Sequence, residues 1–309
     1  MSVVAVAGGT GSIGRTVVEE IVADGKFEVI VLSRKADPEL EKTIGARIIP
    51  VDYSNAASLA KLLEDNHVGT VISALGGLDS LEKERILIQS AEISRVTKRY
   101  IPNNWGNEYG PEHAWFPLAA AKIAVVEELK STQLEWTMVV NGVFLDYWGM
   151  PKIKTYLNPF TMVLDIPGKK AAIPGTGGKP VVFTYTGDVG RFTAKLVTLG
   201  KWSPSSYIVG DTLSWEEFVK LSQEITGEEF EVVHDSVDLL KSGKVTELPS
   251  HVYAYQFFPK EALQRLLSQF GLVFEQGVFD GQSKQTLNSL FPEIKAKSAR
   301  DVLEIGWKR

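Results

Sequence analysis

Three glycines, a hydroxyl followed by two cations, and one lysine on an apolar stripe are the residues of this 309-residue chain whose types and spacing could do chemistry. Gly8, Gly11 and Gly14 recur at every third position directly after the apolar run Val3-Val4-Ala5-Val6-Ala7. A diphosphate approaches a strand-to-helix turn closely only where side chains are missing. The helix that follows offers it free N–H groups and a positive dipole end. The spacing is Gly-x-x-Gly-x-x-Gly, a weak pattern by itself. Its place between a strand and a helix in the first βαβ unit gives it weight over an ordinary glycine-rich turn.

The second group, Ser33-Arg34-Lys35, stands at the end of the second apolar run. A carboxylate at that place would hold the two ribose hydroxyls of NAD, whereas an arginine would accept the 2′-phosphate of NADP. Two cations and a hydroxyl suit the dianionic phosphate, so the expected dinucleotide is NADPH. A solvated loop is the plainer alternative for Arg34 and Lys35. Glu28 lies 20 residues beyond Gly8 but opens the strand instead of closing it, and is read as an exposed residue at the strand start.

The third is Lys122, whose helical neighbours at i−4, i−3, i+3 and i+4 are Leu118, Ala119, Val125 and Val126. A lysine on a partly buried stripe has its pKa lowered by desolvation and becomes usable as a proton donor or acceptor. The competing reading is a stem that covers apolar surface while its head reaches water.

The elements that must position these groups alternate regularly. Strands are expected at 3–7, 29–32, 48–51, 70–73, 99–101 and 137–140, and helices at 13–23, 56–64, 81–93 and 117–130. That alternation implies a Rossmann-type, doubly wound parallel sheet with ligands at the carboxyl ends of its strands. From about Gly142 the chain becomes loop-rich, with Pro151, Pro159, Pro167, Pro174 and Pro180 among Gly168, Gly175, Gly177 and Gly178. Order returns in a strand at 181–185, a helix at 188–199, a strand at 207–209 and a helix at 215–225 capped by Ser214. The expected organisation is therefore a nucleotide-binding domain over 1–150. A smaller α/β substrate lobe over 151–309 is interleaved with it.

Composition narrows the function. Apolar residues are 44% and charged residues 23%, as in an ordinary globule, and the formal charge of −5 comes without a basic block of the kind that follows nucleic acid. No run approaches the roughly 18 apolar residues that span a bilayer, and no charged leader precedes the first strand, so a cytoplasmic protein with a small-molecule substrate is expected. Cysteine is absent, which removes thiolate chemistry. The four histidines, His67, His113, His234 and His251, lack metal-type spacing and are read as ordinary surface or core residues, so no metal is expected.

Several segments together resemble the isoflavone reductase and pinoresinol-lariciresinol reductase-like branch of the atypical short-chain dehydrogenases, which includes the fungal NmrA-like proteins. They are Gly8-Gly9-Thr10-Gly11-Ser12-Ile13-Gly14, Leu32-Ser33-Arg34, Val51-Asp52-Tyr53-Ser54, Lys98-Arg99-Tyr100-Ile101-Pro102, Trp136-Thr137, Asn141-Gly142-Val143-Phe144 and Leu290-Phe291-Pro292-Glu293-Ile294-Lys295. The likeness spans nearly the whole chain. It implies that the glycine turn holds the pyrophosphate, that Arg34 takes the 2′-phosphate and that Lys122 is the catalytic acid/base beside the nicotinamide. No Tyr-x-x-x-Lys exists here, since Leu118 stands four residues before Lys122, which disfavours carbonyl reduction by a tyrosine/lysine pair. The cofactor set implied by fold and resemblance begins with Gly8, Thr10, Gly11, Ser12, Ile13 and Gly14 from the first turn. It continues with Ser33, Arg34, Lys35, Asp52 and Tyr53, then Ala74, Leu75 and Gly76, and ends with Asn103, Asn104 and Lys122.

After Pro102 the family usually continues Ser-Glu-Phe-Gly, whereas this chain reads Asn103-Asn104-Trp105-Gly106. Trp105 and Asn141, with the aromatic run Phe144, Tyr147 and Trp148, are the candidate substrate contacts. Packing of a loop and of the second lobe is the alternative for each. Three functions stand open: an NADPH-dependent reductase of an aromatic or conjugated small molecule, with hydride from the nicotinamide and the proton managed by Lys122; a non-catalytic dinucleotide sensor; and a non-redox cyclase or condensation enzyme on the same fold. A monomer or homodimer is expected.

Overall fold

The computed structural model describes residues 2–77, 79–280 and 285–308. Val3–Ala7 (β1) is buried at every position, the pattern of a strand covered on both faces, and it lies at the centre of a six-stranded sheet. Around it stand Glu28–Ser33 (β2), Arg47–Pro50 (β3), Val68–Ser73 (β4), Arg99–Ile101 (β5) and Glu135–Trp136 (β6), in the spatial order β3-β2-β1-β4-β5-β6. All these pairings are parallel. Ala7 faces Leu32 on one side and Ser73 on the other, so the three central strands end level. The order reverses between β1 and β4, which opens a crevice at their carboxyl ends where ligands of such sheets bind.

The connecting helices are Ser12–Asp24 (α1), Pro38–Ile44 (α2), Ala56–Asp65 (α3), Ser80–Ile93 (α4) and Pro117–Lys130 (α5). Glu28 is exposed at the start of β2 and pairs with Arg47 at 3.3 Å. The strand expected at 137–140 divides. After β6 the chain leaves β5, and Met138–Val140 (β7) pairs instead with Ser205–Tyr207 (β12).

Between them run Val143–Phe144 (β8), Leu164–Asp165 (β9), Lys170–Pro174 (β10), Pro180–Thr184 (β11) and the helix Thr186–Leu196 (α6), which packs on α1. Beyond β12 come Asp211–Ser214 (β13), Trp215–Thr226 (α7), Glu231–Asp235 (β14) and Val237–Lys241 (α8). His251–Ala254 (α9), Lys260–Glu275 (α10), Leu287–Leu290 (α11) and Ala299–Trp307 (α12) complete the chain. The helix expected at 215–225 is α7, and Ser214 caps it in a reciprocal box with Glu217. The loop-rich stretch holds three strands the sequence did not announce, β8, β9 and β10, of which β10 pairs in parallel with β14. Among the described residues no helix is long and apolar enough to cross a membrane, and no cluster of His, Asp or Glu could hold a metal.

Two hydrophobic layers cover the parallel sheet, one on each face, and a third core joins Phe116 and Ala119 of α5 to residues from Val143 to Leu303. That third core contains a cluster of packed aromatic rings. Trp148 meets Phe218 at 5.0 Å and Trp215 at 5.5 Å, while Phe183 stacks on Phe218 at 4.8 Å. Such edge and offset pairs add about 0.5–1.5 kcal/mol each beyond burial.

Candidate active site

The glycine turn divides by role. Gly8 takes a left-handed φ of 78°, and a Cβ there would run into the Ala74 carbonyl. A Cβ on Gly14 would run into the Gly8 carbonyl, so these two glycines serve close packing of the turn on α1 and on the end of β4. Nothing lies within 4 Å of where a Cβ on Gly11 would stand. Its bareness therefore serves space outside the protein. Gly11 is also the N-cap of α1 and contributes no side-chain cap, so the first N–H groups of the helix are left to whatever fills that space. Thr10 and Ser12 flank the opening, Ser12 exposed with a φ of 51°. Ile13 is different: its side chain is 5% exposed and packs in the core, so it has only a backbone N–H to offer.

At the end of β2, Arg34 borders a concavity of about 270 Å³ shared with Asp52, Tyr53, Ser54, Asp79 and Lys83. Lys83 is matched by Asp79 at 2.5 Å, whereas among the described residues no carboxylate forms an ion pair with Arg34. Asp52 turns back to accept the Ser54 hydroxyl (2.8 Å) and amide (2.9 Å), which hold its carboxyl below the usual range. Tyr53 is buried and donates to the Leu32 carbonyl at 3.0 Å, fixing the strand end behind Ser33. Lys35 is exposed and does not line the concavity. Lys83 does, and the sequence reading missed it.

The segment after β5 is stitched across three strand ends. Asn103 donates its side-chain amide to the Leu75 carbonyl at 2.5 Å, and its backbone N–H to Glu84 at 3.1 Å. The Trp105 indole donates to the Ser73 carbonyl at 2.9 Å, and Gly106 donates to the Asn141 side chain at 2.9 Å. Ala74 and Leu75 are buried along this seam, and Gly76 is exposed.

Onto this seam α5 brings Lys122, whose ammonium donates to the Trp105 carbonyl at 2.6 Å and lies 5.8 Å from the Tyr109 ring. Ala119 and Val125 on the same stripe are buried. Burial without a facing carboxylate lowers the Lys122 pKa to about 8. Such an amine exists in both proton states near neutral pH and can give or take a proton at Nζ.

Three candidates change place. Asn104 is 3% exposed and donates to the Lys122 carbonyl at 3.3 Å, so its side-chain amide supports the lysine backbone from behind. Asn141 is fully buried, with both side-chain groups committed to the Gly106 and Gly142 backbone, and is no substrate contact. Trp148 belongs to the aromatic core, its indole donating to the Leu164 carbonyl at 3.1 Å, and is likewise no substrate contact. The Trp105 ring is 7% exposed, so what it turns to the site is its carbonyl. Phe144 and Tyr147 are half-buried, and Tyr147 meets Phe160 edge-on at 5.9 Å. Tyr109, half-buried beside the lysine and edge-on to Phe116 at 6.1 Å, was missed because a lone tyrosine in a polar loop carries no periodic signal.

A model of the NmrA-like family matches residues 1–305. Oxidoreductase BOA1 of Botryotinia fuckeliana is 37% identical over 297 residues, covering 94% of this chain and 95% of its own. Pinoresinol reductase 1 of Arabidopsis thaliana is 26% identical, covering 98% and 96%. Among solved structures, the leucoanthocyanidin reductase–NADPH complex from Vitis vinifera superposes with a TM-score of 0.73 at 19% identity, covering 98% of this chain and 99% of that one. AtPrR2 with NADP+ and (+)pinoresinol gives 0.73 at 22%, covering 98% of each. The superpositions agree with the six-stranded parallel sheet and its flanking helices.

Proposed function

Because the chain belongs to the NmrA-like family, whose relatives here are oxidoreductases, we propose that it is an NADPH-dependent reductase of an aromatic or conjugated small molecule, with Lys122 handling the proton. The observation that carries this reading is the half-buried Lys122 ammonium beyond the carboxyl end of β5, held by the Trp105 carbonyl beside the Tyr109 ring. The residues present fit the dinucleotide. Open space at Gly11 and the uncapped start of α1 suit its diphosphate, and Arg34 suits its 2′-phosphate. Bound NADPH would supply the hydride. The chain's own part is to orient and to move a proton: the Trp105 carbonyl fixes Nζ, and the Tyr109 face limits water around it. Nζ then offers its proton to charge developing on a substrate oxygen or nitrogen. The leucoanthocyanidin and pinoresinol reductases, with NADPH or NADP+ bound, support the choice of cofactor. Consumption of NADPH, followed by absorbance across a panel of conjugated aromatic substrates, tests the activity. Tight nucleotide binding without turnover of any of them would favour the sensor.

The choice of dinucleotide has its own test. NADPH should bind more tightly than NADH, and Arg34→Ala should remove on the order of 1.5–3 kcal/mol of that difference, the worth of a hydrogen bond to a charged group. Calorimetric titration of both nucleotides reads this directly. Equal affinities in the unmodified protein would overturn the assignment of Arg34.

A further inference from the structure

We propose that Glu84 is a positioning residue for Lys122, holding the 103–106 segment so that the Trp105 carbonyl meets the lysine ammonium and water is kept from it. Its functional consequence rests on the reading of Lys122 as the proton carrier. The positioning itself does not.

Glu84 is 2% exposed on α4, on the stripe it shares with Leu87 and Ile88. Its Oε1 accepts the Tyr100 hydroxyl at 3.0 Å and the Asn103 N–H at 3.1 Å, and its Oε2 pairs with the Ser73 hydroxyl. Three segments thus converge on one carboxyl: the end of β4, the strand β5 and the loop after it. Two of them lead to Trp105. Asn103 stands two residues before it, and Ser73 offers its carbonyl to the indole. Trp105 in turn carries the carbonyl that Lys122 meets.

Burying a carboxyl costs several kcal/mol unless it is fully bonded, and among the described residues no cation forms an ion pair with Glu84. Neighbouring Arg85 pairs with Glu128 instead, at 3.2 Å. A leucine would be the cheaper occupant, so the carboxyl's value lies in what it holds. Desolvation raises its pKa to about 7, with Glu128 on α5 adding to the rise, and Tyr100, which bonds it, and Tyr53 are the tyrosines near enough to interact. Either proton state keeps the network. The ionised carboxylate accepts from all three donors. The protonated acid turns its proton to the Ser73 hydroxyl and goes on accepting from Asn103 and Tyr100.

Loss of that hold acts on Lys122 in two opposing ways. The ammonium loses a carbonyl acceptor, which lowers its pKa, and gains water, which both replaces the acceptor and removes the desolvation. Desolvation is the cause of the depressed value, so the net movement is upward, toward about 10.4. Tyr109 presents only a ring face to the ammonium, and Asn104 bonds the lysine backbone, so neither compensates.

The test is a 13C NMR titration of lysine side chains in the full chain without nucleotide or substrate, with the Lys122 signal assigned by its loss in Lys122→Arg. The expected value is near 8 in the unmodified protein and unchanged within about 0.3 pH unit in Glu84→Gln, which mimics the protonated acid. In Glu84→Leu it should rise by about one to two pH units. Should the leucine variant not fold, Glu84→Asp, one methylene too short to reach Asn103, should move it the same way by about half as much. An unchanged value in Glu84→Leu or Glu84→Asp overturns the proposal, as does a glutamine variant that moves as far as leucine. If the values move as expected while Lys122→Met retains turnover, positioning stands and the proposed function of Lys122 falls.

Discussion

Lys122→Met is expected to lower turnover by about 10²–10⁴, the usual contribution of a general acid/base, while leaving NADPH affinity nearly unchanged and making the protein more stable. The two effects share one cause. Burial holds the ammonium near 8, about 2.5 pH units below an exposed lysine, and each unit is 1.36 kcal/mol. That sets an upper bound of about 3 kcal/mol on the cost of the charge, and partial solvent contact reduces it to about 1–2 kcal/mol. Methionine fills a similar volume without the charge. The sign follows from proton binding: between about pH 8 and 10.4 the unfolded chain binds more protons at this lysine than the folded one, so folded stability rises with pH across that window. The cost is fully present below pH 8. Thermal unfolding should therefore show the methionine variant ahead at pH 7, with the gap closing toward pH 10. Lys122→Arg should recover neither property, because a guanidinium stays protonated and cannot pass its proton on. Full turnover in the methionine variant, once a substrate is in hand, would make Lys122 a packing stem with its head at the surface.

What the sequence revealed, and what it hid, follows from how each signal is carried. Continuous apolar runs such as Val3–Ala7 and period-3.6 stripes such as that of Pro117–Lys130 are local signals, and the first five strands and the long helices between them appear close to where they predict, whereas the run at 137–140 divides between two sheets. The short helix Pro38–Ile44 was invisible because only Leu40 and Ile44 are apolar in it, and its start depends on the Asp37 cap. By contrast, Lys260–Glu275 has Leu263, Leu267, Phe270 and Phe274 on one face, a legible stripe that went unread. Side-chain direction was the harder question. The types of Asn104, Asn141 and Trp148 announce hydrogen bonding or stacking, but only the fold decides whether they face the crevice or stand behind it. Glu84 illustrates the reverse. It occupies an apolar stripe with Leu87 and Ile88 just as Lys122 does with Ala119 and Val125, and desolvation acts on the carboxylate as it acts on the lysine.

The glycine turn gives the second large effect, because its three glycines should fail differently. Valine at Gly8 or Gly14 would meet backbone within the protein itself, at Gly8 with a left-handed φ as an added strain, so both variants should lose folding stability whatever the ligand. Gly11→Val should not. Its backbone is extended, with φ at −160°, which a β-branched residue adopts readily, and no protein atom stands within 4 Å of the new Cβ. The added bulk instead occupies the space at the start of α1 where a diphosphate would approach the free N–H groups. Nucleotide affinity should fall on the order of a hundredfold, with a melting temperature close to that of the unmodified chain. Calorimetry and thermal unfolding on the same sample separate the two outcomes. A folded Gly11→Val variant that still binds NADPH at full affinity would place the diphosphate elsewhere and leave the turn a purely structural one, and the assignment of Arg34 would lose its geometric anchor with it.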